Sequence, residues 1–406
     1  MTSHNPSTVL APPEAELINL VVERISKQFP WYAELAKTDA PSLSTLPLIN
    51  QAILEKHYYL ETQVPNGTDT YFTSGTSGGT RKRILYGEDD DNAYVAQRRQ
   101  LFDRFLTGVP RGSNAVADLG TGHAAASARR IFEEMGLQSF DIDFQRPISE
   151  HISLLNEWQP DVLFTMPMIL DQLMQQSAAL QISPRKIIVV GDLATAAWRQ
   201  RVASHFGIQF NDVLDLFGSI EIGAIAYSDA TTGRYKFHSH IIPELVNYEE
   251  VTRGHARGSR SGSGILVLTS ISRRYFPAIR YVTGDSITDL RKETSGEWTF
   301  ERIEGRQVGD FKHGERISSH DLCEAMATVF PAQPFEVLDG NAMTIRVVGS
   351  VSDNQRKEFR RYVHHASPDI AVMTDAGLVG EILIQSVNSS DALVSGAKRR
   401  FNVRSS

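Results

Sequence analysis

At 406 residues, 41% of them hydrophobic, the chain is long enough to bury the cores of roughly two or three domains. Forty-one basic residues against forty-eight acidic ones leave a net charge of −7, and nothing in that balance suggests a general nucleic-acid or membrane-surface binder. The single cysteine, Cys323, excludes an internal disulfide and any cysteine-based zinc cluster.

Residues 1–13 are polar and rich in Pro and Ser, without a charged-then-apolar signal pattern, and no apolar run reaches the roughly 20 residues of a membrane span. The expectation is a soluble, cytoplasmic protein. Residues 14–29 place Leu17, Leu20, Val21 and Ile25 at helical spacing, ending before Pro30. A Pro/Ser/Leu segment at 41–47 leads to a short helix at 51–58 and a short strand at 70–72. Next comes Thr73-Ser74-Gly75-Thr76-Ser77-Gly78-Gly79-Thr80, followed by Arg81-Lys82-Arg83. Its glycines let backbone N–H groups turn inward, its hydroxyls add donors, and the cations close one end. That composition suits a polyphosphate cradle, although the Walker spacing is absent and a flexible Gly/Ser linker with a basic end has the same composition.

From residue 92 the pattern becomes regular. Helices at 93–106, 124–135, 149–158 and 194–205 alternate with strands at 115–118, 162–165, 187–190 and 210–216, and Pro167 stands where a helix takes its first-turn proline. Strands apolar on both faces, set between helices, predict a parallel sheet covered by helices. After Ser228, strands at 235–242, 244–250, 264–270, 278–282 and 298–302 predict an antiparallel sheet or barrel. The Gly/Ser/Arg-rich stretch 253–263 reads most simply as a mobile surface loop, with phosphate binding as its alternative. A polar stretch at 305–314 marks a boundary. Beyond it, strands at 335–338, 343–348, 370–373 and 381–384 and a helix at 354–365 make a pattern of their own. The predicted class is α/β: a large N-terminal domain over 1–304 with a mostly parallel sheet and an antiparallel β region, and a small C-terminal α/β domain over 315–406.

Four further segments carry chemistry. Leu216-Phe217-Gly218-Ser219-Ile220-Glu221 follows the last apolar strand, and ligands of such sheets bind beyond the carboxyl ends of strands. There Glu221 could hold Mg²⁺ against phosphate oxygens and Phe217 could cover an adenine; equally, the turn could start a helix whose dipole Glu221 complements. In Arg280-Tyr281-Val282-Thr283-Gly284-Asp285 a carboxylate on a Gly turn can accept from both ribose hydroxyls, or simply close a β-turn. Gly305-Arg306-Gln307-Val308-Gly309-Asp310-Phe311-Lys312-His313-Gly314 has the charge of a solvated linker, and Ser395-Gly396-Ala397-Lys398-Arg399-Arg400 that of a frayed basic tail.

In this order the motifs resemble the adenylate-forming superfamily of acyl-CoA synthetases and adenylation domains, nearest its phenylacetate–coenzyme A ligase-like branch, from about residue 30 to the end. The resemblance implies an enzyme that joins a carboxylic acid to ATP·Mg²⁺ as an acyl-adenylate, then transfers the acyl group to a thiol of coenzyme A or of an acyl carrier protein's phosphopantetheine. An amine acceptor, forming an amide, and a non-catalytic AMP/ATP-binding relative are the alternatives. By the same resemblance Thr73, Ser74, Gly75, Thr76, Ser77 and Gly78 hold phosphates, and Glu221 binds the metal within the Gly218-Ser219 turn. Phe217 covers adenine, Asp192 lies beside the nucleotide, Asp285 and Arg306 grip the ribose, and Lys398 neutralises charge during adenylation. The small domain pivots near Asp310 in a 305–314 hinge, and Gly122 and His123 touch the acid, although a Gly-His pair also suits a surface turn. His205, His238, His240, His313, His364 and His365 lack metal-ligand spacing and read as structural. Departures from the pattern are Gly79 at the loop's lysine position, Ile220 in place of Thr, Val308 in place of Asp, and Lys398 one residue late.

Overall fold

The computed structural model describes residues 14–37, 42–60, 64–72, 82–119, 123–306, 311–313, 315–331, 333–339, 343–376, 382–388 and 403–404. Its centre is a run of parallel strands in the order Gln138–Ile142, Asn114–Asp118, Val162–Thr165, Lys186–Val190 and Val213–Ser219. Alternate residues of each strand serve opposite layers. Ala115, Ala117 and Ile188 pack against helices Glu88–Phe105 and His123–Glu134. Val116, Ile187 and Val189 pack against helices Ile148–Trp158, Pro167–Gln175 and Ala196–Phe206. Both faces are therefore dry, which is why these strands read as unbroken apolar runs.

The antiparallel strands form no separate sheet or barrel; they extend the parallel one. Val213–Ser219 pairs on its far side with Gly223–Asp229, and the order continues through Arg234–Phe237, Trp298–Phe300, Tyr281–Lys292, Gly262–Ser270 and Ile241–Val246. Strand Ile303–Arg306 branches off Tyr281–Lys292, giving a 12-stranded sheet. The N-terminal helix Glu14–Gln28 covers this half, burying Ile18, Val21 and Ile25 beside Leu266, Phe276 and Phe300.

Three local expectations change. Residues 244–250 are not one strand: Ile241–Val246 gives way to a helix, Tyr248–Arg253. Asn247 caps it by accepting from the Glu250 amide at 2.9 Å while Glu250 accepts from the Asn247 amide at 2.9 Å. The stretch after it is tied down rather than loose, since Leu245 and Ser259 form a β-bridge and the Leu48 amide donates to Gly254 O at 3.1 Å. Residues 370–373 belong to a helix, Pro368–Asp375, whose proline occupies the first turn. A four-residue apolar run cannot tell strand from helix by period alone.

The small C-terminal domain has its own sheet, ordered Leu383–Val387, Thr344–Val348, Phe335–Asp339 and Val403–Arg404, backed by helices Ser319–Val329 and Asp353–Ala366. It leans on the large domain through Ser319–Val329. Glu324 accepts from the Ala197 amide at 3.2 Å, satisfying a free N–H at the start of Ala196–Phe206. Arg201 of that helix donates to Ala327 O at 3.2 Å and pairs with Asp171 at 3.1 Å. No helix among the described residues is long and apolar enough to cross a membrane.

Candidate active site

The site grows from the turn between Val213–Ser219 and Gly223–Asp229. Gly218 must be glycine, because a Cβ there would stand 2.6 Å from Gly223 O and 2.9 Å from Arg98 Nη2. Gly223, at φ +90°, takes the left-handed conformation that brings the chain straight back. Ser219 Oγ accepts from the Ile222 amide at 3.2 Å, and Tyr86 OH donates to Ile220 O at 2.8 Å. Glu221 thus sits in a hairpin turn at the carboxyl end of the last parallel strand, and the helix-start alternative is excluded.

A buried cation holds this turn in place. Arg273 Nε donates to Glu221 O at 2.9 Å and its Nη2 to Leu85 O at 2.7 Å, while its plane covers the Tyr86 ring 3.8 Å from the centroid. Its charge is met by Asp90, equally buried, which also accepts from the amides of Arg274 at 2.7 Å and Tyr275 at 3.1 Å. The Tyr59 phenol is raised well above its ordinary range, first by burial and then by the negative charge of Glu221.

His123 opens the His123–Glu134 helix beside this turn and is not at the surface. It is 5% exposed, with the rings of Tyr86, Tyr94 and Tyr71 at centroid distances of 4.2, 4.7 and 5.0 Å, and its Nε2 lies 2.8 Å from Asp91 Oδ1. The surface-turn alternative fails because these aromatic rings, scattered along the sequence, close over it.

Asp192 follows Gly191 (φ +91°) at the end of the neighbouring strand and accepts from the Leu193 amide at 2.8 Å. Behind it Asp215 is raised to about 6, by burial first and by the charge of Asp192 in part, while the Tyr235 hydroxyl donates to it. Phe217 is half-buried, its ring 6.2 Å from that of Phe300 in an edge-on contact. Asp285 and Arg306 are direct partners in the antiparallel register of Tyr281–Lys292 and Ile303–Arg306. The Asp285 amide donates to Thr283 Oγ1 at 3.1 Å, and that hydroxyl donates to Leu266 O at 2.9 Å.

The predicted residues therefore fall into three groups: Gly218, Ser219, Glu221 and His123 together, Asp192 on the adjoining strand end, and Asp285 facing Arg306. Thr73, Ser74, Gly75, Thr76, Ser77, Gly78, Gly122, Asp310 and Lys398 lie outside the described residues. Sequence reasoning missed Tyr86, Tyr94, Arg98 and Arg273. The one signal for the middle two was their separation of four residues on a helix, which puts them on one face.

The family model described as the fumarate–diaminopropanoate ligase C-terminal domain matches residues 312–389. A fumarate–(S)-2,3-diaminopropanoate ligase from Enterobacter agglomerans is 41% identical over 393 residues, 95% of this chain and 98% of that protein. Among solved structures, a 2-hydroxyisobutyryl-CoA ligase in complex with R3-HIB-AMP superposes with a TM-score of 0.73 at 15% identity, covering 97% of this chain and 90% of that one. The amide bond synthetase McbA from Marinactinospora thermotolerans gives 0.53 at 15% identity, covering 80% and 66%. With 41% identity across nearly the whole of both chains, the chain belongs to the fumarate–(S)-2,3-diaminopropanoate ligase family, and it shares its fold with these acyl-CoA and amide-bond ligases.

Proposed function

We propose that the protein activates a small dicarboxylic acid, fumarate or a close analogue, and passes it to the amine of (S)-2,3-diaminopropanoate or a similar amino acid, forming an amide. The observation that carries this reading is the 41% identity to a ligase of that name over 95% of the chain. An amine takes precedence here over the thiol of coenzyme A or of a carrier protein.

In the first step a carboxylate oxygen attacks the α-phosphorus of ATP, the bond to the β-phosphate breaks, and pyrophosphate leaves. In the second the amine nitrogen attacks the acyl carbonyl, AMP leaves with the bonding electrons, and the nitrogen gives up a proton. Two anions must meet in the first step, so the site has to offset accumulating charge. The loop residues Thr73–Gly78 supply amides and hydroxyls to the phosphates, and Lys398 supplies a cation from the small domain, which turns about Asp310 between the two steps. Glu221 fits a magnesium site: it presents a hard carboxylate from a turn whose backbone is fixed by Tyr86 and Arg273. Bound there, Mg²⁺ would draw charge from the phosphate oxygens.

Asp285, facing Arg306 across the strand pair, binds the ribose hydroxyls. Asp285→Ala is expected to weaken ATP binding by about 1.5–3 kcal/mol per hydrogen bond lost. The same substitution should barely alter the affinity for a nucleotide lacking both ribose hydroxyls, as titration calorimetry would show; equal losses would reject the role.

The function itself is tested by incubating the protein with ATP, Mg²⁺ and a panel of carboxylic acids, measuring pyrophosphate, then adding amines or coenzyme A and weighing the products. The expected result is pyrophosphate release dependent on fumarate and an amide product with diaminopropanoate. Thioester formation without amide would restore the thiol reading, and nucleotide binding without turnover would identify a sensor.

A further inference from the structure

Helix Glu88–Phe105 buries a charge that the scaffold leaves unmet. Arg98 is 2% exposed, yet its Nε and Nη1 are buried without a hydrogen-bond partner. A guanidinium is a cation, and isolating such a charge from water is costly unless something pairs with it. Two other buried arginines show how the fold ordinarily meets that cost. Arg273 closes on Asp90 and Arg280 closes on Glu244, both pairs almost fully buried. Arg98 makes no ion pair among the described residues.

Its position says what is missing. The Nη2 atom stands 2.9 Å from where a Cβ on Gly218 would be, so the guanidinium lies against the turn that carries Glu221. Arg98 also lies 5.5 Å from the Tyr94 ring centroid, and Tyr94 flanks His123. The charge thus stands near both the turn that carries Glu221 and, through Tyr94, the residue expected to touch the acid. A second buried group shares the region: His238 is 8% exposed, and its Nε2 has no partner. Burial, with the charge of Arg98 adding to it, holds His238 down to about 2 and the adjacent His240 to about 3, so both rings are neutral. A neutral imidazole can still give one N–H. A forked cation with an imidazole within reach of its field matches a carboxylate, which accepts in pairs.

We propose that Arg98, helped by His238, receives the second, unactivated carboxylate of a dicarboxylic acid and so turns its other carboxylate toward the nucleotide. The inference rests on the reading of the protein as a dicarboxylate-activating ligase and names the residues that select that class. A monocarboxylic acid of the same shape leaves the guanidinium buried and unpaired, and sites built to hydrogen-bond a group reject analogues that lack it. Fumarate, its monomethyl ester and crotonate form a matched series for this, differing in one end of the molecule.

The test uses the full chain with ATP, Mg²⁺ and hydroxylamine, following pyrophosphate release for each acid. The wild type is expected to prefer fumarate over crotonate and the monoester by about 10²-fold or more in kcat/KM. Arg98→Met should erase that preference, losing fumarate while retaining crotonate, with KM for ATP unchanged. Should Arg98→Met fail to fold, Arg98→Lys decides: it keeps the charge but not the fork, and should raise KM for fumarate about tenfold while leaving that for crotonate alone. Indifference of the wild type to the second carboxylate, or a variant whose effect is equal on all three acids, overturns the assignment. Absence of turnover with every acid would instead remove the ligase reading on which it stands.

Discussion

Glu221→Ala is expected to abolish acid-dependent pyrophosphate release and leave the fold intact. The turn owes its shape to backbone atoms: Ile220 O accepts from Tyr86, Glu221 O from Arg273, and the Ile222 amide donates to Ser219. The Glu221 side chain takes no part in those bonds, so truncating it leaves Gly218, Gly223 and the strand ends where they are. Chemistry should suffer in proportion to the charge the side chain manages. Losing a metal ligand removes several kcal/mol of transition-state stabilisation, on the order of 10³-fold in rate or more. Two measurements separate the outcomes, pyrophosphate release at saturating Mg²⁺ and the midpoint of thermal unfolding. Near-wild-type release with a normal midpoint would dismiss Glu221 as the metal ligand.

The largest expected loss of stability comes from Arg273→Ala. Arg273 and Asp90 are each 3% exposed, and removing the cation leaves the carboxylate, among the described residues, hydrogen-bonded to the amides of Arg274, Tyr275 and Gly87 but without an ion-pair partner. Breaking a buried pair from one side costs about 3–5 kcal/mol. The denaturant midpoint should fall with its slope unchanged, since no new surface is exposed. Activity should fall as well, because the 2.9 Å bond to Glu221 O goes with the same side chain. Adding Asp90→Asn to the variant should recover part of the stability but none of the activity, since the stranded charge is removed while the turn stays unanchored. A single variant as stable as the wild type would mean that Asp90 tolerates burial alone.

Much of this protein was legible in one dimension because the relevant signals are local. Unbroken apolar runs at 162–165 and 187–190 announce strands covered on both faces, and the structure buries both faces. The succession of glycine-bearing motifs likewise resembled the adenylate-forming superfamily, and it is that resemblance which implied acid activation with ATP. Where the local signal was ambiguous, reading failed: Pro368–Asp375 is a helix because of its first-turn proline and its packing, and the Asn247 cap made a helix out of a supposed strand.

What the sequence by itself determined, then, is the α/β class, the parallel core and the order of the motifs. Only the tertiary structure decided their partners. Asp285 meets Arg306 through a strand register that no motif encodes, and His123 is buried by three tyrosines drawn from two strands and a helix. Arg98 shows the physical reason most plainly. Along the chain it is one cation in a helix dense with charge, next to Arg99, which remains exposed enough to pair with Glu134. Burial is set by what packs over a side chain, and an arginine becomes a receptor for an anion only when the packing that covers it brings no carboxylate of its own.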